Sequence, residues 1–407
     1  MGRGPHSRAA AALVCSCATL LLFTPGVGAQ GGRKERPELD PYTKGEAEAL
    51  RTAGYSSLGP FVVGEGHTSE TVLAYLGNPP ILWIETEHFR LGCSLDEYKV
   101  VETEERRKIR MELARLKLKL PRVKSKAKTL DPWLRAHLFA QRLEELHSEF
   151  CETLGVLPSG TDPPEASRAR ARIGTKGPLS VLVLQLESSL SRYTQEFCTS
   201  SRADTHTEFF QGTGTFLYGI ADGSLESTDT ALHYAVAFGV AQALGFSIHG
   251  FPNTPPRWWT VGLGRYFARR VDSKIQLYMS AGGDALPSDK LADWETLVLG
   301  RVNADYYPDW DSTLAWSDAG EMKFADHMLL WSRMDYLLDQ DAEIRAKLVE
   351  AFHGPVEATE DWRAVLSARH ANGLTAAIGM EIDELDAAWC LWVRENYTKK
   401  GRRRRGR

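Results

Sequence analysis

Over residues 104–120 the apolar positions Ile109, Leu113, Leu116 and Leu120 recur at i, i+4, i+7 and i+11, which lines one face of an α-helix. Pro121 stops that helix. Asp131-Pro132 opens the next, with Asp as cap and Pro at the first position. Phe139, Leu143, Leu146 and Phe150 form its inner stripe. Elsewhere the period changes. "ILWIETEHFRLGCS" (81–94) has β-branched and aromatic residues in period-two patches and is expected to form a strand. "PLSVLVLQL" (178–186) is a short continuous apolar run, the pattern of a buried strand. "ESSLSRYTQEF" (187–197) follows as a helix. "TGTFLYGIADGSLES" (213–227) reads as a hairpin turning at Ala221-Asp222-Gly223.

"LHYAVAFGVAQALGF" (232–246) is apolar or small almost throughout, so its helix is expected to be buried all round. Thr228 or Asp229 is its N-cap, and Gly245 lies just past its end. "PPRWWTVGLGRYF" (255–267) starts a second helix on two prolines. From about residue 289 to 397 the chain is mostly helical, anchored in the core by Trp294, Trp310, Trp316, Trp331, Trp362, Trp389 and Trp392. At the other end, residues 30 to about 45 read as a disordered polar lead. A short helix follows at "TSETVLAYLG" with Thr68 or Ser69 as cap, and "NPP" breaks it.

The first 29 residues stand apart. A basic start, the apolar run "AAAALVCSCATLLLF" and "TPGVGAQ" make the three parts of a secretory signal peptide, cut near Ala29. The alternatives are a membrane anchor, for which the run is short, and a lipoprotein cut before Cys17. No later stretch is apolar enough to span a bilayer. The chain of 407 residues is 43% hydrophobic and 25% charged, which are globular proportions. Losing Arg3 and Arg8 leaves 47 basic and 53 acidic residues, which argues against a nucleic-acid partner. Cys93, Cys151, Cys198 and Cys390 remain; disulfides and buried thiols are both open, and no CxxC is present. The stretch 106–128 holds eleven Lys/Arg and one acid, Glu112. It could meet an anionic envelope polymer, or be the solvated face of a helix and its loop. The basic tail at 401–407, with Arg402 to Arg405 and Arg407, could bind an anionic surface or be a disordered tail. Asn396-Tyr397-Thr398 fits a glycosylation sequon.

A zinc peptidase of the HExxH kind needs two His at i and i+4, a Glu beside the first as general base, and a third ligand from a later helix. The order of strand, helix, strand, hairpin, buried helix and "PPRWWTVGLGRYF" resembles the secreted peptidase-MA-like (gluzincin) family over residues 81 to 397. "LTAAIGMEIDELDAAWCLWVRENY" is similar to the C-terminal helical segment of such proteins. The resemblance places His233 at the first zinc-ligand position. It places Tyr234 at the general base, Ala237 at the second His and Val261 at the third-ligand Glu. One ligand of three remains and the base is gone. A catalytic zinc needs three protein ligands and an open position. Tyr, with an ordinary pKa of about 10, is no carboxylate base at neutral pH.

The sequence therefore leads to these expectations. The fold is α+β: a gluzincin-like domain (81–272) with a small mixed sheet and buried helices, then a mainly helical region (273–400). A signal peptide (1–29) and a polar lead with a short helix (30–80) precede them. The protein is expected to be exported, to the periplasm or beyond the cell. It is expected to bind a peptide, protein or envelope polymer without catalysis and without a cofactor, with "TGTFLYGI" as a strand edge for β-addition. The competing reading is a zinc peptidase whose ligands have moved, drawn from His206, Glu208, Asp229 and His249 around His233. A third is a structural envelope protein with no cleft.

Overall fold

The computed structural model describes residues 39–158, 171–224, 228–250, 255–275, 292–316, 322–352 and 362–397. The expected signal peptide and the basic tail lie outside the described residues, as do Thr398 of the sequon and the side chain of Trp362.

The chain opens with α1 (Ala47–Ala53), β1 (Tyr55–Ser57), β2 (Val62–Gly64), β3 (His67–Thr68) and α2 (Ser69–Leu76). Thr68 caps α2 by accepting from the Thr71 amide. Then come β4 (Leu82–Thr86), β5 (Phe89–Cys93), β6 (Tyr98–Lys99), α3 (Thr103–Lys119), β7 (Thr129–Leu130) and α4 (Pro132–Leu154). Asp131 caps α4 through the Leu134 amide, and Gly155 ends it at φ 67°. β8 (Leu179–Leu184), α5 (Glu187–Phe197), β9 (Thr205–Phe210), β10 (Thr215–Ala221), α6 (Asp229–Ser247) and α7 (Arg257–Val271) complete the sheet-bearing part. The rest is helical: α8 (Trp294–Asn303), α9 (Trp310–Leu314), α10 (Phe324–Leu338), α11 (Ala342–Phe352), α12 (Trp362–Ile378) and α13 (Ile382–Asn396). The fold is α+β with a helical C-terminal region. No described helix is long and apolar enough to cross a membrane.

Six strands pair in the order β1-β4-β5-β8-β10-β9. β5, β8 and β10 are mutually parallel, and β1–β4, β4–β5 and β10–β9 are antiparallel. Both faces are covered, so the central strands are apolar on both sides. Leu179, Val181 and Val183 of β8, with Phe216, Tyr218 and Ile220 of β10, join the main core shared with α4, α6 and α7. Leu182, Leu184, Leu217 and Ala221 face the other way, onto α2 and α5. The main core runs on without a break into the C-terminal helices, where Trp294, Trp310, Trp331 and Trp389 are buried. Trp316 and Trp392 are partly buried against it.

Several expectations need correction. Residues 81–94 form two strands, because the chain reverses at Glu87-His88 and pairs Ile84 with Leu91. The hairpin in 205–221 turns at 211–214, not at Ala221-Asp222-Gly223, where β10 ends and a short 3-10 turn begins. β10 is therefore interior: all seven of its residues are buried, and β9 is the edge. Strand addition at "TGTFLYGI" is closed by β8 and β9. α6 runs past Gly245 to Ser247. The end of the polar lead is ordered against α4, where Asp40 accepts from His137 at 3.1 Å and Tyr42 donates to Asp131. Of the two readings left open for the cysteines, the structure has free thiols at all four described positions.

Glycines let the buried helices close up. A Cβ on Gly239 of α6 would stand 2.1 Å from the Tyr218 ring, and one on Gly264 of α7 would stand 2.8 Å from Phe238. Tyr218 is fixed, since its hydroxyl donates to the Ala235 carbonyl at 3.2 Å. Gly239→Ala is expected to lose about 1–3 kcal/mol, because overpacking outweighs the helix-propensity gain of about 1 kcal/mol. Gly300→Ala in α8, where the new methyl meets nothing within 4 Å, is expected to be neutral or stabilising. Urea midpoints of the two variants check the contrast.

Candidate functional site

α3, α4 and α6 meet at the N-terminus of α6, and charged side chains fill the junction. Thr228 caps α6 by accepting from the Ala231 amide at 3.2 Å. Glu105 of α3 accepts from the Thr230 amide at 2.9 Å. Both use amides that a helix start leaves unpaired, and the helix dipole favours a carboxylate there. Asp229 accepts from Arg142 Nη2 at 2.6 Å, and the same nitrogen donates to Glu112 at 2.7 Å. Lys108 donates to the other Glu112 oxygen at 2.7 Å. Arg135 Nε stands 3.4 Å from Asp229, a charge contact rather than a hydrogen bond. Burial would raise the carboxyls of Asp229 and Glu112, but the neighbouring charges, Arg142 foremost, hold both below the ordinary value.

His233 lies one turn into α6, beside this cluster. Its Nδ1 is 3.0 Å from Lys108 Nζ and 3.6 Å from Glu112 Oε1. The first contact fits a neutral ring and the second a protonated one. Burial, then the charges of Lys108, Arg142 and Arg115, push the imidazole pKa well below its ordinary value, so the ring is neutral. An ammonium only donates, so Nδ1 accepts and the ring proton sits on Nε2.

The other sequence candidates scatter. Tyr234 turns into the α6–α7 seam, where its hydroxyl accepts from Arg265 at 3.3 Å and its ring packs with Phe238 and Ala268. Val261 is buried in the main core. Ala237 sits one turn beyond His233 and lines an open cleft with it. Of the expected replacement ligands, Asp229 belongs to the ion cluster. His249 faces Glu350 of α11 at 3.3 Å. His206 and Glu208 do share a strand face, and are 2.9 Å apart. They pair across from Gly219 and Leu217, and Leu217 faces α5. The sheet thus stands between them and His233. Among the described residues, their group with Cys198 has three ligating atoms within 4.8 Å of one another, and His233 is not part of it.

The cleft has a volume of about 680 Å³ and lies between α3, α4, α6 and α7, closed on one side by α8 and α10. Its walls are charged, not apolar. Arg115 makes a two-pronged pair with Glu145, both bonds 2.8 Å, and Arg270 pairs with Glu149. Arg269 differs. It is 8% exposed, its guanidinium lies 4.1 Å over the Trp294 ring and 4.8 Å over Trp331, and it donates to the Ala292 carbonyl. No carboxylate among the described residues is within ion-pair distance of it, and Glu295 acts on it only from farther away. Burial lowers its pKa to about 10, which leaves it charged at neutral pH.

The sequence pointed to the helix carrying His233 but not to Lys108, Arg142 or Arg269. One signal was present: Arg135 and Arg142 are seven apart, two turns along one helical face, amid an otherwise apolar stripe. The chain matches no family model, no curated protein and no solved structure.

Asp229→Asn is expected to cost about 3–5 kcal/mol in urea unfolding, because it strips Arg142 and Arg135 of a buried counter-charge. His233 also couples stability to pH. Its folded pKa is depressed, so the unfolded chain takes up a proton near pH 6.5 that the folded chain refuses. The contribution is full above about pH 6.5 and is lost as pH falls below it. His147, whose pKa burial lowers to about 4, acts in the same direction. Stability should therefore fall from pH 7 to pH 5, and His233→Gln should remove up to one proton from that slope, about 1.4 kcal/mol per pH unit. Urea titrations at several pH values measure it.

Proposed function

We propose that this chain is an exported, non-catalytic, metallopeptidase-like protein that holds a peptide or protein segment in the cleft beside His233. Export rests on the pattern of the first 29 residues. The metallopeptidase likeness rests on the resemblance around His233 and "PPRWWTVGLGRYF". The observation that carries the binding reading is the cleft itself: about 680 Å³, walled by paired charges, with the buried charge of Arg269 lacking a carboxylate at ion-pair distance among the described residues. A ligand carboxylate near Arg269 would supply that counter-charge. Two indoles hold the guanidinium in place, so little ordering is needed on binding.

The non-catalytic part rests on what surrounds His233. Lys108 engages its Nδ1, Tyr234 points away from the cleft, and Ala237 and Val261 offer no ligand atom. An anionic envelope polymer is a second occupant for the same cleft, since its charge would meet Arg269 equally.

The test uses the tryptophans already there. Acidic peptides with a free C-terminus are titrated into the full chain, and the fluorescence of Trp294 and Trp331 is followed. Saturable binding is expected, weakened by salt. Arg269→Gln should weaken it at least tenfold, the direction expected when one partner of a buried charge pair is lost. Equal affinity for Arg269→Gln, or no saturable signal with any peptide, would overturn the reading. Saturation by a polyanion but not by peptides would move it to the envelope polymer.

A further inference from the structure

The second cluster lies on the opposite face of the sheet from the cleft, between the end of α5 and the edge strand β9. Cys198 is the residue that ends α5. His206 and Glu208 are two apart on β9 and so project to one side. Their ligand atoms and the Cys198 sulfur all lie within 4.8 Å of one another. His206 Nε2 is 2.9 Å from Glu208 Oε2. Thr199 also fixes the Glu208 carboxylate, donating to the same Oε2 from its amide at 3.2 Å and its hydroxyl at 3.0 Å. His206 is buried, while Cys198 and Glu208 stay partly exposed.

We propose that Cys198, His206 and Glu208 form a transition-metal site of the zinc class, with a fourth position open to solvent. This goes beyond the binding reading of the cleft and does not depend on it. Ligand atoms around a four-coordinate zinc, with bonds of about 2.0–2.3 Å, stand about 3.3–3.6 Å apart, so the His206–Glu208 pair at 2.9 Å has to open by about half an ångström while the widest separation, within 4.8 Å, closes by up to about an ångström. One sulfur, one imidazole and one carboxylate suit zinc or cobalt, and the sulfur disfavours magnesium and calcium. The Thr199 contacts supply the outer hydrogen bonds that orient a ligating carboxylate.

Binding Zn²⁺ replaces the thiol proton, which leaves to solvent. His206 gives the lone pair of a ring nitrogen, any proton on that nitrogen leaving to solvent with the thiol's, and Glu208 gives a carboxylate oxygen. The metal would clip the edge strand to the helix packed on it.

The experiment is a Co²⁺ titration of the reduced full chain, followed by zinc competition. One equivalent is expected to produce a thiolate-to-cobalt charge-transfer band in the near ultraviolet, removed by zinc. Cys198→Ser, a near-isosteric change, should abolish the band, and His206→Asn should weaken uptake at least tenfold. His233→Gln should keep it, which separates this site from the cleft. Zinc should raise the melting temperature of the parent chain and not of Cys198→Ser. No band at one equivalent, or a band that persists in Cys198→Ser, would overturn the proposal. Failure here leaves the peptide titration untouched, because that reads Arg269 on the other face.

Discussion

Arg142 is the constraint on which the rest of the junction depends. One of its nitrogens bonds Asp229 of α6 and Glu112 of α3 together, so three helices share a single guanidinium. Its remaining Nε and Nη1 find no acceptor among the described residues, and the group lies 4.9 Å over the Phe139 ring. Such a buried network adds little net stability over a well-packed apolar equivalent, because desolvation offsets most of the attraction. What it does strongly is select geometry. Any shift of α6 along α4 would pull Asp229 away from Arg142 and Arg135 and leave its buried charge without a partner. The start of α6, and with it His233, is therefore held in one register.

The same network decides the chemistry of His233. Glu112 already shares its charge between Arg142 and Lys108, and Lys108 turns its ammonium onto Nδ1. Three cations near one imidazole oppose a fourth positive charge, whether a proton or a metal ion. A divalent ion at His233 would have to displace Lys108 or bear its repulsion. The lysine also explains the basic run at 106–128. Most of that run is exposed, as a solvated face should be, while Lys108 alone among its basic residues is turned inward.

Helix stripes and capping residues were legible in the sequence because they depend on neighbours within a few positions. The cap at Asp131, the α5 span and the buried character of α6 follow from local spacing alone. What escaped depends on contacts across the chain. Whether β10 is an edge is decided by β8, which lies well before it in the chain, and not by anything within "TGTFLYGI". The turn at 211–214 was missed because "ADG" is the stronger local turn signal, yet it follows the strand instead of joining two. His206 and Glu208 were rightly placed on one strand face, but the sequence does not say which face. That depends on β9 pairing Glu208 with Leu217, whose side chain packs toward α5.

The sheet then separates two kinds of chemistry. On the α6 side the ligating groups near His233 are already engaged by a lysine or an arginine, so the cleft works through fixed charges and shape. On the α5 side Cys198, His206 and Glu208 have no Lys or Arg side chain bonded to them among the described residues; His206 and Glu208 bond each other and Thr199 bonds Glu208, contacts that set no positive charge against a cation. Charge placement, more than the identity of any one histidine, decides which face suits a metal. The helix that carries His233 thus sits beside an open cleft walled by the chain's own paired charges. The donor set that suits zinc lies across the sheet, at an edge strand that the spacing of His206 and Glu208 marks only once the pairing of β9 is known.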